Sequence, residues 1–159
     1  MRDKPMTLDH ATGTIRAIAA RPVDGAAMAE LTECQVEAGR GITTENRKSG
    51  KREVTLLSRE AWAVTCRELG ADVPWLTRRA NFLIEGLDLP ACIGQEITLG
   101  SVRIRIHGET RPCQLMDDQH QGLRAVMVPQ CRGGVHGQVL IDGIVRIGDP
   151  VRVVLAPAT

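Results

Sequence analysis

Apolar and polar residues alternate most regularly between residues 95 and 107. The alternation begins at Ile97, is interrupted by Gly100 and Ser101, and continues to Ile106. A period of two is the pattern of a half-buried strand, and a glycine-containing pair between two such runs favours a tight turn. We therefore expect a β-hairpin here, with the arginines between the apolar positions facing solvent.

Several other short apolar runs predict strands. They cover residues 14–19, 31–36, 54–57 and 81–86, and further short strands fall within 133–155, where Asp142-Gly143 and Gly148-Asp149-Pro150 supply turns. Between the second and third runs, residues 38–53 are rich in glycine and charge. This stretch predicts a long loop, and loops of this length are often functional.

One helix is well marked. Ser58 can cap its N-terminus, Glu60 lies near the positive end of its dipole, and Gly70 can end it. Four residues at helical spacing form one face: Trp62, Thr65, Cys66 and Leu69. A second segment, 113–128, is also more helical than extended in pattern.

Many short strands with glycine turns and few helices indicate a mainly β fold, a barrel or a barrel-like sheet with one or two short helices. The chain of 159 residues suits one domain. We expect a flexible, polar N-terminus over residues 1–11 and a single domain over 12–159.

Composition and charge argue against several classes of function. The chain has three aromatic residues, no tyrosine and a net charge of +1, so we expect no nucleic-acid partner. No apolar run is long enough for a signal sequence or a membrane span. Five widely spaced cysteines, an odd number without a Cys-x-x-Cys pair, predict free thiols in a reducing cytoplasm.

The segment Arg111-Pro112-Cys113 follows directly on the predicted hairpin. Pro112 prevents the ladder from continuing, so the chain must leave the sheet there. Cys113 would then lie at a strand end, near the start of a helix whose unpaired N–H groups favour a thiolate, and Arg111 adds positive charge. Two interpretations stay open: a reactive or metal-binding thiolate, or a packed and inert cysteine.

Zinc is a rival interpretation of the same region. Cys113, His120, Cys131 and His136 are residue types that bind zinc. Their spacing does not contain the close ligand pairs that are typical of structural zinc sites, so the pattern argues against this set.

An ordered series of short motifs runs along most of the chain, from about residue 12 to 155. It reads RRANFLIEGLDL (78–89), IGQEITLG (93–100), GETRPC (108–113), GLRA (122–125), RGGVHGQVL (132–140) and IGDPV (147–151). In this order the motifs resemble those of MOSC domains, the domain type named after the C-terminal part of molybdenum-cofactor sulfurases. The RPC element is the most specific of them.

The resemblance implies a β-barrel with a cysteine at a cleft. In the family this cysteine is proposed to carry sulfur as a persulfide or to ligate the molybdenum of molybdopterin, and Cys113 matches it. Arg78, Arg79 and Asn81 match an Arg–Asn element beside the cleft, and we count Arg111 with them as cofactor-binding. Glycines 133, 134 and 137 allow either turns or a close approach of a ligand.

The resemblance also implies partners and a reaction class. A sulfur carrier would need a cysteine desulfurase, and a molybdoenzyme reducing N-oxygenated compounds would need a flavoprotein or iron–sulfur reductase. Pyridoxal phosphate is not expected on this chain, whose three lysines all lie in polar segments.

One element of the family pattern is missing. Many members carry a Gly-Asp pair in the first long loop, whereas residues 41–50 read GITTENRKSG without an aspartate. Glu45 is the acidic residue of that stretch and is a candidate replacement. The alternative to a sulfur or molybdenum function is a non-catalytic barrel that binds a small ligand or a protein partner.

Overall fold

The computed structural model describes residues 12–22, 27–45 and 52–155, so the predicted flexible segment 1–11 lies outside the described residues. The strands are β1 Thr12–Ala20, β2 Ala29–Leu31, β3 Glu33–Glu37, β4 Gly41–Ile42, β5 Val54–Ser58, β6 Phe82–Glu85, β7 Glu96–Leu99, β8 Val102–Glu109, β9 Val135–Ile141, β10 Gly143–Arg146 and β11 Pro150–Val154. The α-helices are α1 Arg59–Leu69, α2 Gln114–Gln119 and α3 Leu123–Met127. Single 3₁₀ turns cover Trp75–Arg78, Pro90–Cys92 and Pro129–Cys131.

Seven strands close into a barrel, which confirms the mainly β prediction. Their order is β11-β7-β8-β9-β5-β6-β1, and β1 closes the ring by pairing with β11. Among the described strands only the β5–β6 pair is parallel, and the connection between these two strands contains α1, as parallel neighbours require. A small second sheet has the order β10-β3-β4.

The predicted hairpin is confirmed as β7 and β8. Leu99 pairs with Val102 across a turn in which Gly100 has a φ of 59°. The apolar residues of β8 are fully buried in the barrel, and the arginines between them lie on the outer face. A period of two therefore placed every second side chain of this strand in the core.

The predicted helix is confirmed as α1. The Ser58 Oγ accepts a hydrogen bond from the Ala61 N–H at 3.1 Å, and Gly70 ends the helix in the left-handed conformation. Trp62 and Thr65 are buried against the outer wall of the barrel, where α1 packs with α2 and α3 in a second apolar cluster.

Three predicted segments differ from the structure in detail. The run 31–36 is broken at residue 32, because β2 pairs with β1 of the barrel whereas β3 pairs with β10 of the second sheet. The segment 113–128 forms two helices separated at Gly122, which has a φ of 88°. The predicted loop 38–53 contains the short strand β4, where a Cβ on Gly41 would overlap the Glu53 carbonyl oxygen.

Candidate functional site

Cys113 lies where the chain leaves the barrel. β8 ends at Glu109, Pro112 is buried, and Cys113 occupies the residue that precedes α2. Its backbone is extended and its carbonyl accepts a hydrogen bond from the Met116 N–H at 3.0 Å. The predicted position at a strand end and helix start is confirmed, and the residue is exposed to solvent rather than packed in the core.

Cys113 opens onto a cleft of about 190 Å³. The cleft is formed by residues from four separate segments of the chain, namely Arg52, Thr55, Arg78, Arg79, Ala80, Thr110, Cys113, Leu115, Met116 and Gly133. Three of these side chains are cationic and none is a carboxylate. The charged side chains that line the cleft are therefore all positive, and they lie beside an exposed thiol.

Arg78 is the buried cation of this cleft, with 8% of its surface exposed. Its Nε donates to the Gly133 carbonyl at 2.9 Å and one terminal nitrogen donates to the Thr110 carbonyl at 2.8 Å. Burial lowers the pKa of Arg78, the nearby Cys113 opposes this shift, and the positive charge of Arg52 adds to it. Arg78 thus joins the two backbone segments that frame the cleft.

Arg79 reaches the cleft by an unusual backbone conformation. Its φ is 65°, in the left-handed region that residues other than glycine seldom adopt. This conformation ends the 3₁₀ turn Trp75–Arg78 and turns the chain into β6. Arg79 forms no ion pair with the residues that the structure describes, so its charge remains available to a ligand in the cleft.

Asn81 is placed behind the cleft wall. It is 1% exposed, and its Oδ1 accepts hydrogen bonds from the Thr55 N–H at 3.0 Å and the Thr55 hydroxyl at 3.2 Å. Its Nδ2 donates to the Ala19 carbonyl at 3.1 Å and to Glu45 Oε2 at 2.7 Å. These bonds tie together β1, β5, β6 and the loop of Glu45, so Asn81 supports the cleft from inside, and a direct cofactor contact by its amide stays a prediction.

Arg111 is not brought to the Cys113 cleft. Its side chain is 87% exposed, and its Nε lies 3.8 Å from a Glu109 carboxylate oxygen. It lines a neighbouring cleft together with Glu109, Pro112, Arg124 and Val128. Although Arg111 is two residues from Cys113 in sequence, the buried Pro112 between them directs the two side chains into different clefts.

The glycines of residues 133–137 are needed by the backbone. A Cβ on Gly134, whose φ is 94°, would overlap the Leu56 carbonyl oxygen. On Gly133 a Cβ would lie 2.5 Å from the Thr110 carbonyl oxygen. Both contacts are with protein backbone, so these glycines bring the strands and the cleft wall together.

Arg52 and Thr110 are among the cleft residues that the sequence reasoning missed. Arg52 precedes β5 at the end of the predicted loop, and Thr110 follows β8 just before the RPC element. The hydroxyl oxygen of Thr110 is buried without a hydrogen-bond partner among the described residues. The only sequence signal for either residue was its position at a strand end, which many other residues share.

The other four cysteines differ from Cys113. All five thiols are free, and Cys113 is the exposed one. Burial raises the pKa of Cys34 to about 12 and that of Cys92 to about 11. Burial, followed by the nearby Glu109, also raises the pKa of Cys131. Thiolate chemistry at neutral pH is therefore disfavoured at these three positions.

The described residues contain no group of three or more histidine, cysteine or carboxylate side chains arranged to hold a metal ion. The four residues of the rival zinc set all belong to that described part and are not gathered there. No helix in the same ranges is long and apolar enough to cross a membrane.

The barrel and the cleft with its exposed cysteine are the features that the motif resemblance implied, and comparison with family models identifies the family. A family model of the MOSC domain matches residues 43–152, and the chain belongs to the MOSC domain family. This confirms the resemblance deduced from the ordered motifs. No curated protein matches the sequence closely enough to be reported as a relative.

Solved structures share the fold at low sequence identity. The YuaD protein from Bacillus subtilis is 16% identical with a TM-score of 0.73, and the match covers 88% of this chain and 94% of YuaD. YiiM from Geobacillus stearothermophilus is 15% identical with a TM-score of 0.71, covering 90% of this chain and 75% of YiiM. YiiM from Escherichia coli is 16% identical with a TM-score of 0.68, covering 92% and 72%.

Proposed function

We propose that this MOSC protein handles sulfur for the molybdenum cofactor, and that Cys113 carries the sulfur as a persulfide. The observation that supports this most is the position of an exposed thiol at the edge of a cleft whose charged side chains are all arginines. A sulfur carrier needs a thiol that a donor can reach and a setting that tolerates negative charge. Cys113 meets both requirements, whereas buried Cys34 and Cys92 do not.

The proposed loading step is a thiol exchange. The Cys113 thiolate attacks the terminal sulfur of a persulfide on the donor's cysteine, a new S–S bond forms on Cys113, and the donor's S–S bond breaks. The donor cysteine leaves as a thiolate, so sulfur moves without an external oxidant or reductant. The donor would be a cysteine desulfurase, and Arg52, Arg78 and Arg79 would offset the charge of the Cys113 persulfide.

Ligation of molybdenum is the second candidate, favoured by the same three arginines. A thiolate is a ligand for soft metals, and guanidinium groups suit the phosphate of a pterin cofactor. Cys113 would hold the metal, and Arg52 and Arg79 would hold the phosphate. When bound, the cofactor would supply the redox chemistry for reducing an N-oxygenated compound, with electrons from a reductase partner.

The cleft fits part of such a cofactor. The described residues enclose about 190 Å³, which is less than the roughly 300–1,000 Å³ of pockets for drug-sized ligands. The anionic part of the cofactor and its metal suit the cleft, and the rest of a pterin would extend outside it. The Asn81 amide is engaged with Thr55, Ala19 and Glu45, so its predicted contact with the pterin would require the exchange of one of these bonds.

Two measurements test the proposal. The protein is expressed in a host that makes the cofactor, and molybdenum and zinc are determined in the wild type and in Cys113→Ala. Purified protein is also treated with a cysteine desulfurase and cysteine, and peptide mass spectrometry locates any added sulfur. The variant Cys131→Ala is the control, because it removes a partly buried thiol outside the cleft.

Added sulfur on Cys113 that persists in Cys131→Ala supports sulfur carriage. Stoichiometric molybdenum that is lost in Cys113→Ala supports ligation. If neither sulfur nor molybdenum is found on the wild type, the proposal is wrong and a non-catalytic binding barrel takes its place. A cytoplasmic location, where free thiols persist, is part of the same proposal.

A further inference from the structure

We propose that the cleft selects a small sulfur-bearing oxyanion, of the thiosulfate type, as a direct sulfur donor for Cys113. The inference rests on the proposed function, since it assumes that Cys113 carries sulfur. It adds a substrate class and an activity, the transfer of sulfane sulfur from a free anion to the protein.

The cleft contains a buried positive charge, that of Arg78, without a carboxylate partner among the described residues. Arg78 and Arg132 are equally buried, each 8% exposed. Arg132 is paired with a carboxylate, its terminal nitrogen lying 2.7 Å from Glu68 Oε2. Arg78 donates to two carbonyl oxygens and lies 4.0 Å from the Met116 sulfur, with no carboxylate partner among the described residues. A buried charge is normally paired, so the Arg78 cleft lacks an anion that a ligand can supply.

The cleft also differs from its neighbours in the charge of its lining residues. Three other clefts in the described part of the chain each include a glutamate, namely Glu96, Glu33 and Glu109. The Cys113 cleft has three arginines and no acidic side chain. Guanidinium groups bind oxyanions through paired N–H donors, so this cleft is suited to an oxyanion in a way that the others are not.

The size of the cleft suits a small anion. A volume of about 190 Å³ is small for an organic ligand but ample for an anion of a few heavy atoms. An anion bound by Arg79 and by the side of the cleft that contains Arg78 would lie beside the Cys113 thiol, which lines the same cleft. This arrangement suits a ligand whose sulfur contacts the thiol while its negative charge lies near the arginines.

The chemistry balances without another reactant. The Cys113 thiolate attacks the outer sulfur of thiosulfate, a Cys113 S–S bond forms, and the S–S bond of thiosulfate breaks. The electron pair of the broken bond leaves with sulfite, and Cys113 becomes a persulfide anion. Total charge is unchanged, and the arginines are placed to stabilise the departing sulfite.

The test uses the full-length protein with thiosulfate under anaerobic conditions. Sulfite release is measured with time, and peptide mass spectrometry locates the added sulfur. The variants are Cys113→Ser, Arg79→Gln and, as the charge-matched control, Arg124→Gln, whose side chain lines the neighbouring cleft. Alkylation by neutral iodoacetamide reports thiol reactivity independently of anion binding.

We expect sulfite release with sulfur added to Cys113 in the wild type and none in Cys113→Ser. Arg79→Gln should slow the reaction with thiosulfate by about tenfold, as the loss of one charge-assisted hydrogen bond predicts. The same variant should change iodoacetamide alkylation much less, and Arg124→Gln should react with thiosulfate like the wild type.

The outcomes separate this inference from the proposed function. If a cysteine desulfurase loads Cys113 but thiosulfate does not, the small-anion donor is wrong and sulfur carriage stands. If Arg79→Gln and Arg124→Gln react equally with thiosulfate, the cleft does not select the anion and the inference is wrong. If neither donor loads Cys113, both the inference and the sulfur-carrier proposal are overturned.

Discussion

Replacement of Asn81 by alanine tests whether this residue holds the barrel together. The side chain makes four hydrogen bonds, to the Thr55 N–H, the Thr55 hydroxyl, the Ala19 carbonyl and the Glu45 carboxylate. Asn81→Ala removes all of these bonds at once. Because the site is 1% exposed, solvent does not replace them without a rearrangement of the strands.

The size of the effect follows from the groups left behind. A buried donor or acceptor that loses its partner costs about 1–3 kcal/mol. The Thr55 N–H and the Ala19 carbonyl lose this partner, whereas Glu45 keeps a hydrogen bond from the Arg21 N–H. With two such groups, and some relaxation around the vacated space, we expect the free energy of unfolding to fall by about 2–5 kcal/mol. A domain of this size is stable by only about 5–15 kcal/mol, so the loss is a large fraction of the total.

Urea unfolding followed by circular dichroism measures this quantity. Gln35→Ala is the control, because it removes an amide side chain from an exposed position of β3 and should change stability by less than about 0.5 kcal/mol. If Asn81→Ala unfolds within about 1 kcal/mol of the wild type, the structural role deduced from the hydrogen bonds is wrong. In that case a direct ligand contact becomes the better explanation of the residue.

Iodoacetamide at neutral pH should modify Cys113 first and leave Cys34 and Cys92 unmodified until the protein is unfolded, because burial raises their pKa values to about 12 and about 11; peptide mass spectrometry gives the order. Gly134→Ala should lower the free energy of unfolding by about 3 kcal/mol or more in urea titrations, because its φ is 94° and a Cβ would overlap a strand carbonyl. Burial, followed by nearby positive charge, lowers the pKa of His136. The stability that depends on its neutral form is therefore present above about pH 6.5 and is lost as the pH falls through the folded pKa. Between pH 8 and pH 5 the urea midpoint should fall less in His136→Gln than in the wild type.

Each of these predictions has a contradicting result. Early labelling of Cys34 in the folded protein would contradict its burial. Gly39→Ala is the control for Gly134, since its φ of 79° is also left-handed but no atom lies within 4 Å of the added Cβ, and it should cost only about 1–2 kcal/mol. Equal stability losses in the two glycine variants would refute the overlap argument. If the urea midpoint of His136→Gln depends on pH as that of the wild type does, a group other than His136 titrates.

The sequence alone determined those elements whose signals are local. Alternation of apolar residues fixed β7 and β8, because every second side chain of a strand faces the same side. The Ser58 cap and Gly70 fixed α1, because capping depends on neighbours within one helical turn. Pro112 placed Cys113 at a strand end for the same reason, and the ordered motifs gave the family, which the MOSC match confirms.

Only the tertiary structure decided which side chains share the cleft. Arg52, Arg78 and Cys113 come from segments far apart in sequence, and they meet because β5, β6 and β8 belong to one closed barrel. Arg111, the sequence neighbour of Cys113, is turned into another cleft by a buried proline. Nearness in sequence therefore suggested a contact that the fold does not make.

The same distinction applies to Asn81 and Arg78. Their residue types favoured ligand binding, but type does not say whether the hydrogen bonds of a polar side chain are already made within the protein. Asn81 finds its partners in β1, β5 and the loop of Glu45, whereas the buried charge of Arg78 meets carbonyl oxygens and no carboxylate in the described part of the chain. These partners are brought together by barrel closure, which depends on long-range pairing that no local pattern of the sequence contains.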